Sequence, residues 1–195
     1  TWFILLSDSA TVKVEQFGGS SDRLAPADYD GDGLTDVAVM RPANSTWYIR
    51  YSNGSGDDEI QWDPVTTYED IIVVADYDGD HQADLAVYQV ENGFWTILES
   101  ISSAYRTAQF GDGTYSGDSS PGIASGSNID MPMPGDFDGD GIIDIAVWNR
   151  KTKTVNVLPS QSSILTSLPV GNDGSQPVSM SILNQNQYNR RRVHR

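Results

Sequence analysis

Apolar residues fall in short runs along this chain, separated by polar, turn-forming residues. The runs are strand-sized: Trp2-Phe3-Ile4-Leu5-Leu6, Val37-Ala38-Val39-Met40, Leu85-Ala86-Val87-Tyr88 and Ile145-Ala146-Val147-Trp148. No stretch sustains the 3.6-residue period of an amphipathic helix. Between the runs stand Pro42-Ala43-Asn44-Ser45, Asn53-Gly54-Ser55 and Asn92-Gly93. These are turn signals, because Asn and Gly accept the left-handed backbone that tight turns need. The pattern predicts an all-β chain.

The pattern also repeats. Aligned on Asp28, Asp76 and Asp136, a bulky residue follows 19 positions later (Trp47, Trp95, Val155), and an apolar anchor follows 15 beyond that (Trp62, Phe110, Val170). Trp2 and Phe17 keep the same interval of 15. The anchor usually opens a Phe-Gly pair, as in Phe17-Gly18 and Phe110-Gly111, with Trp62-Asp63 and Val170-Gly171 as variants. The return from an anchor to the next aligned Asp is 11, 14 or 26 residues. Constant spacing within a unit and variable spacing between units is what strands joined by loops produce.

Four strands per unit are expected. Strand A covers 24–27, 71–75 and 131–134, and strand B covers 36–40, 84–88 and 144–148. Strand C carries the Trp position, over 46–51, 94–99 and 154–159. Strand D runs to the anchor, over 13–17, 59–62, 106–110 and 165–170. A four-stranded antiparallel unit recurring every 48 to 60 residues is a propeller blade. The expected fold is all-β, a β-propeller-type array of three full blades plus one blade split between the termini, within a single domain 1–195. Residues 1–19 supply strands C and D of the split blade. Blades follow at 20–63, 64–113 and 114–171, and 172–195 holds strand A of the split blade and a basic tail.

Strands A and B of each blade are joined by a nine-residue acidic loop. The three copies are Asp28-Tyr29-Asp30-Gly31-Asp32-Gly33-Leu34-Thr35-Asp36, Asp76-Tyr77-Asp78-Gly79-Asp80-His81-Gln82-Ala83-Asp84 and Asp136-Phe137-Asp138-Gly139-Asp140-Gly141-Ile142-Ile143-Asp144. Each places carboxylates at positions 1, 3, 5 and 9. Four carboxylates this close repel one another, so a folded loop of this kind calls for a cation. Ca²⁺ suits it, as a hard ion taking 6–8 oxygens in flexible geometry, with the position-7 carbonyl of Leu34, Gln82 or Ile142 helping to fill the shell. Mg²⁺ demands stricter octahedral geometry and keeps its waters. An acidic, solvated turn without metal is the plainer alternative, and threefold recurrence of the whole ligand pattern argues against it. An EF-hand is excluded, because position 12 is Val39, Val87 and Val147 where that loop needs Glu. At position 6 of the second loop His81 replaces Gly. His accepts a left-handed backbone less readily than Gly, so the second site is expected to be the weakest. The nine positions from Ser181 carry no carboxylate, so no fourth metal is expected.

Composition adds bounds. The net charge is -15, to which the loop carboxylates contribute most, and such a surface repels nucleic acid and anionic membranes. No apolar run approaches the ~20 residues of a membrane span. There is no Cys, which removes disulfide and thiol chemistry. The chain opens at Thr1 without Met or a basic leader, so any signal peptide is expected to be already removed.

The motif D-[YF]-D-G-D-x-x-x-D-[VLI]-A-V, followed by a Trp strand and a Phe-Gly pair, resembles the FG-GAP/VCBS repeat family over nearly all of residues 1–182. The resemblance implies calcium-binding propeller blades, as in integrin α-subunits and bacterial surface proteins. It implies Ca²⁺ at three sites, on Asp28, Asp30, Asp32 and Asp36 and their counterparts, and an extracellular or cell-surface setting.

Other features are weaker. Trp2, Trp47 and Trp95 read as inter-blade packing rather than a sugar platform. Asn44-Ser45-Thr46 and Asn53-Gly54-Ser55 are N-glycosylation sequons that also read as turns. The insert 111–130 is a loop that could serve recognition, and the Arg190–Arg195 tail could dock on an acidic neighbour. The two His, His81 and His194, lie in a loop and in the tail, and no nucleophile elbow or phosphate loop is present. The expected function is a non-enzymatic, calcium-stabilised structural or adhesive module that assembles with copies of itself, as an oligomer or filament, through the incomplete blade. The alternatives are a lectin-like propeller binding a polysaccharide or surface protein, or a fragment of a larger secreted surface protein.

Overall fold

The computed structural model describes residues 1–64, 70–111, 130–162 and 165–169. The expectations for the insert 112–129, for Val170-Gly171, for the closing strand after 172 and for the Arg tail lie outside these residues. The chain divides into two compact units, Thr1–Asp63 and Pro64–Arg195. Among the described residues there is no helix, and so none long and apolar enough to cross a membrane.

The first unit holds β1 (Trp2–Leu5) and β2 (Val12–Glu15) as a two-stranded antiparallel sheet. It also holds β3 (Arg23–Leu24), β4 (Val37–Arg41), β5 (Thr46–Arg50) and β6 (Asp57–Gln61), a four-stranded sheet in chain order. The second unit repeats that sheet twice. One copy is β7 (Ile71–Ile72), β8 (Leu85–Gln89), β9 (Phe94–Leu98) and β10 (Tyr105–Gln109). The other is β11 (Met131–Pro132), β12 (Ile145–Asn149), β13 (Thr154–Leu158) and β14 (Thr166–Pro169). All pairings are antiparallel.

β4, β8 and β12 read as unbroken apolar runs because their side chains on both faces are buried. The outermost strands β6, β10 and β14 are mostly exposed and polar, which blunts an otherwise free sheet edge. In the second unit the two four-stranded sheets share a core. Ala86, Tyr88, Trp95 and Ile97 of one meet Ile145 and Val147 of the next.

The observed strands depart from expectation at two places. The first strand of each four-stranded sheet is only two residues long, and an isolated bridge (Ala27↔Asp36, Ala75↔Asp84, Gly135↔Asp144) closes the ladder at the loop. Where the anchor is described (Phe17, Trp62, Phe110), the last strand stops before it. At three repeats the anchor carbonyl instead accepts the indole N–H of the Trp 15 residues earlier: Trp2 to Phe17 at 3.0 Å, Trp47 to Trp62 at 3.2 Å and Trp95 to Phe110 at 2.9 Å.

Candidate metal centres

The three acidic loops connect β3 to β4, β7 to β8 and β11 to β12. Each is folded by its own carboxylates on the backbone. Asp28 Oδ1 accepts from Gly31 N at 2.8 Å and Oδ2 from Gly33 N at 2.8 Å. Asp76 does the same with Gly79 and His81, and Asp136 with Gly139 and Gly141. The position-3 carboxylate accepts from the amide of position 5, and the position-5 carboxylate from that of position 7. Positions 4 and 6 both require positive φ. Position 6 has φ 89° at Gly33, 74° at His81 and 95° at Gly141, so His81 does hold the left-handed backbone expected of it.

Position 9 closes the loop from inside. Asp36, Asp84 and Asp144 are fully buried. Each accepts at Oδ2 from the amide of position 2 and at Oδ1 from a Ser amide on the far side of the second hairpin: Ser52 at 2.8 Å, Ser100 at 2.9 Å and Ser160 at 2.8 Å. The Ser100 and Ser160 hydroxyls also donate to Asp80 and Asp140. In the first loop the Ser52 hydroxyl is buried without a hydrogen-bond partner, and the Asn53 amide donates instead to Asp30 Oδ2 at 2.6 Å.

Carboxylate oxygens converge in three places. Those of Asp28, Asp30 and Asp32 lie within 4.8 Å of one another, as do those of Asp76, Asp78 and Asp84 and those of Asp136, Asp138 and Asp144. Asp36, Asp80 and Asp140 fall outside these tightest triples. Burial raises the pKa of Asp28, Asp36, Asp78 and Asp144, and neighbouring carboxylates add to it against the lowering by backbone amides. For Asp84 the same burial pushes the pKa up to about 7. His81 is exposed, with Nδ1 3.9 Å from Asp76 Oδ2. The donor set is therefore all oxygen and rich in carboxylates. Such a set fits a hard divalent cation, and each of the three clusters could hold a metal ion.

The sequence reading missed the Ser at +24 from the first Asp of each loop (Ser52, Ser100, Ser160), though aligning the repeats shows it. It also missed an Asp six residues before each loop. Asp22 takes a bidentate pair of bonds from Arg41, and Asp70 and Asp130 are buried. The side-chain amides of Asn44 and Asn53 are both engaged locally: Asn44 bonds the Tyr48 hydroxyl and the Thr46 amide, and Asn53 bonds Asp30 and the Ser55 amide. Trp47 and Trp95 are fully buried, so neither offers a face to a sugar.

Residues 7–87 match the family described as the FG-GAP-like repeat. That match supports an FG-GAP assignment. It spans the first two acidic loops, and the third loop, outside the match, repeats their hydrogen-bond frame. An FG-GAP repeat points to a β-propeller-type module. No curated protein and no solved structure matches the chain.

Proposed function

We propose that this chain is a non-enzymatic, calcium-stabilised structural or adhesive module, built of β-propeller blades and working outside the cell. The observation that carries the reading is the threefold recurrence of one carboxylate cluster on one hydrogen-bond frame, each closed by a buried Asp. The residues that would hold the ions are Asp28, Asp30, Asp32 and Asp36 with the Leu34 carbonyl. Their counterparts are Asp76, Asp78, Asp80, Asp84 and Gln82, and Asp136, Asp138, Asp140, Asp144 and Ile142. Bound Ca²⁺ supplies positive charge that offsets the repulsion among these groups. The chain's own contribution is to pre-orient the carboxylates. Backbone amides hold both oxygens of the carboxylates at positions 1 and 9 and one oxygen of those at positions 3 and 5, and the Ser100 and Ser160 hydroxyls steady Asp80 and Asp140.

The extracellular setting is part of this proposal, and the FG-GAP resemblance is what supports it. Extracellular calcium modules often have Kd near 10⁻⁴–10⁻³ M, which cytosolic calcium would leave empty. The structural role follows from where the carboxylates point their hydrogen bonds, into the loops that join each first strand to its second. The expected partner is a second copy of the chain. On the β1–β2 sheet one face carries Phe3, Leu5, Val12 and Val14, all exposed, and Phe3 is 75% exposed. The equivalent face of β5–β6 carries Tyr48, Arg50, Asp57 and Glu59. Polar residues suit solvent, and an apolar patch suits a protein surface.

Equilibrium dialysis against calcium tests the metal reading. Three ions bound per chain support it, and none overturns it. Light scattering with Phe3→Asp tests the assembly. A mass above 21.3 kDa that falls to one chain in the variant supports self-association, and a single-chain mass for the unmodified protein overturns it.

A further inference from the structure

The second and third acidic loops touch within one compact unit. The Ile143 N–H donates to the backbone carbonyl of Asp76 at 2.9 Å. The Ile142 side chain covers Gly79, where an added Cβ would stand 2.9 Å from Ile142 Cγ1. Ile143 is buried in the same core as Tyr77. Asp76 opens the second loop, and its carboxylate organises the amides of Gly79 and His81. Ile142 and Ile143 are positions 7 and 8 of the third loop.

The Ile142 carbonyl and the Ile143 N–H belong to one peptide unit, which is planar and rigid. Fixing the carbonyl therefore fixes the direction of the N–H. A carbonyl engaged at its oxygen also polarises its peptide and strengthens the bond its N–H donates. That bond ends on Asp76, the residue that orders the second loop. We propose that the Ile142–Ile143 peptide couples the second and third loops, so that they take up divalent cations with positive cooperativity. This rests on the reading of the loops as calcium sites.

The experiment is a calorimetric calcium titration of the full chain carrying Asp30→Ala, which silences the first loop. Fitted with unequal intrinsic affinities taken from the single-site variants below, the isotherm is expected to require a coupling factor above 1, and a factor of 1 overturns the coupling. Adding Asp138→Ala leaves the second site, and adding Asp78→Ala instead leaves the third. Coupling between sites is reciprocal and commonly about 5–150-fold. Each loss should weaken the remaining site by the same factor, at least about fivefold. Ile142→Ala keeps every carboxylate and the backbone carbonyl but uncovers Gly79. It is expected to reduce that factor while both sites still fill. Two ions bound independently, with unchanged affinity in the single-site variants, overturn the coupling and leave the calcium reading standing. No calcium uptake by the unmodified chain overturns the calcium reading itself, and the coupling with it.

Discussion

The indole N–H of Trp95 donates to the carbonyl of Phe110 at 2.9 Å. This bond gives the 15-residue interval its physical meaning, because it ties the third strand of the sheet to the residue just past the fourth. Trp47 with Trp62 and Trp2 with Phe17 make the same bond. Trp95 is fully buried and packs on Tyr88, with ring centroids 5.1 Å apart. Trp95→Phe is expected to destabilise the chain by about 1–3 kcal/mol, from a lost hydrogen bond and a partly filled cavity. Urea unfolding in saturating calcium checks this, and an unchanged midpoint would count against the bond as a stabilising element.

His81 stands at φ 74° where the other loops have Gly33 and Gly141. A left-handed backbone costs a non-Gly residue about 1–2 kcal/mol. Its side chain is 79% exposed, so little packing is lost on removal. His81→Gly is therefore expected to tighten calcium binding at the second loop. Gly33→His is expected to weaken the first loop by a similar factor. Site-resolved calcium titrations of the two variants check the opposite signs.

Asp22 is held by Arg41 through bonds of 2.9 and 2.8 Å. That pairing keeps its carboxyl below the ordinary value of 3.8. A depressed folded pKa contributes stability above the unfolded value, and the contribution is lost as pH falls through the folded one. Asp22→Asn is expected to be less stable than the unmodified chain at neutral pH. The gap is expected to narrow as pH drops below 3.8. Denaturant midpoints of both proteins across that range measure it, and a gap that widens on acidification would contradict the pairing.

Much of this was legible in the sequence wherever it repeats at fixed spacing. The four-strand period, the buried second strand and the acidic loops all rest on residues whose type and interval recur. The strain at His81 was legible because a single substitution breaks a triplicated Gly. What was not legible depends on contacts across the fold. Ser52, Ser100 and Ser160 look like ordinary turn residues until their amides are seen on the buried Asp of the loop. Asp22 looks like one more surface acid until Arg41 closes on it. At Phe17, Trp62 and Phe110 the anchor carbonyl goes to an indole just past the end of the strand, which no strand propensity records. Phe137 shows the same limit. It replaces the Tyr29 and Tyr77 whose hydroxyls bond the carbonyls of Ala25 and Val73, and it is 38% exposed.

The most direct measurement is the melting temperature of the full chain in saturating calcium and in excess EDTA, beside Asp28→Ala and Asp8→Ala. Asp28 bonds two loop amides, whereas Asp8 is exposed. Asp57 makes a poor control because Arg50 holds it at 2.7 Å. One site at 100-fold excess over its Kd adds about 2.7 kcal/mol. For a chain of this size each kcal/mol moves the melting temperature about 2–4 °C, so EDTA should lower it by at least about 5 °C per site. Asp28→Ala should lose part of that shift and Asp8→Ala none. Superimposable curves with and without calcium would contradict the calcium-stabilised module outright.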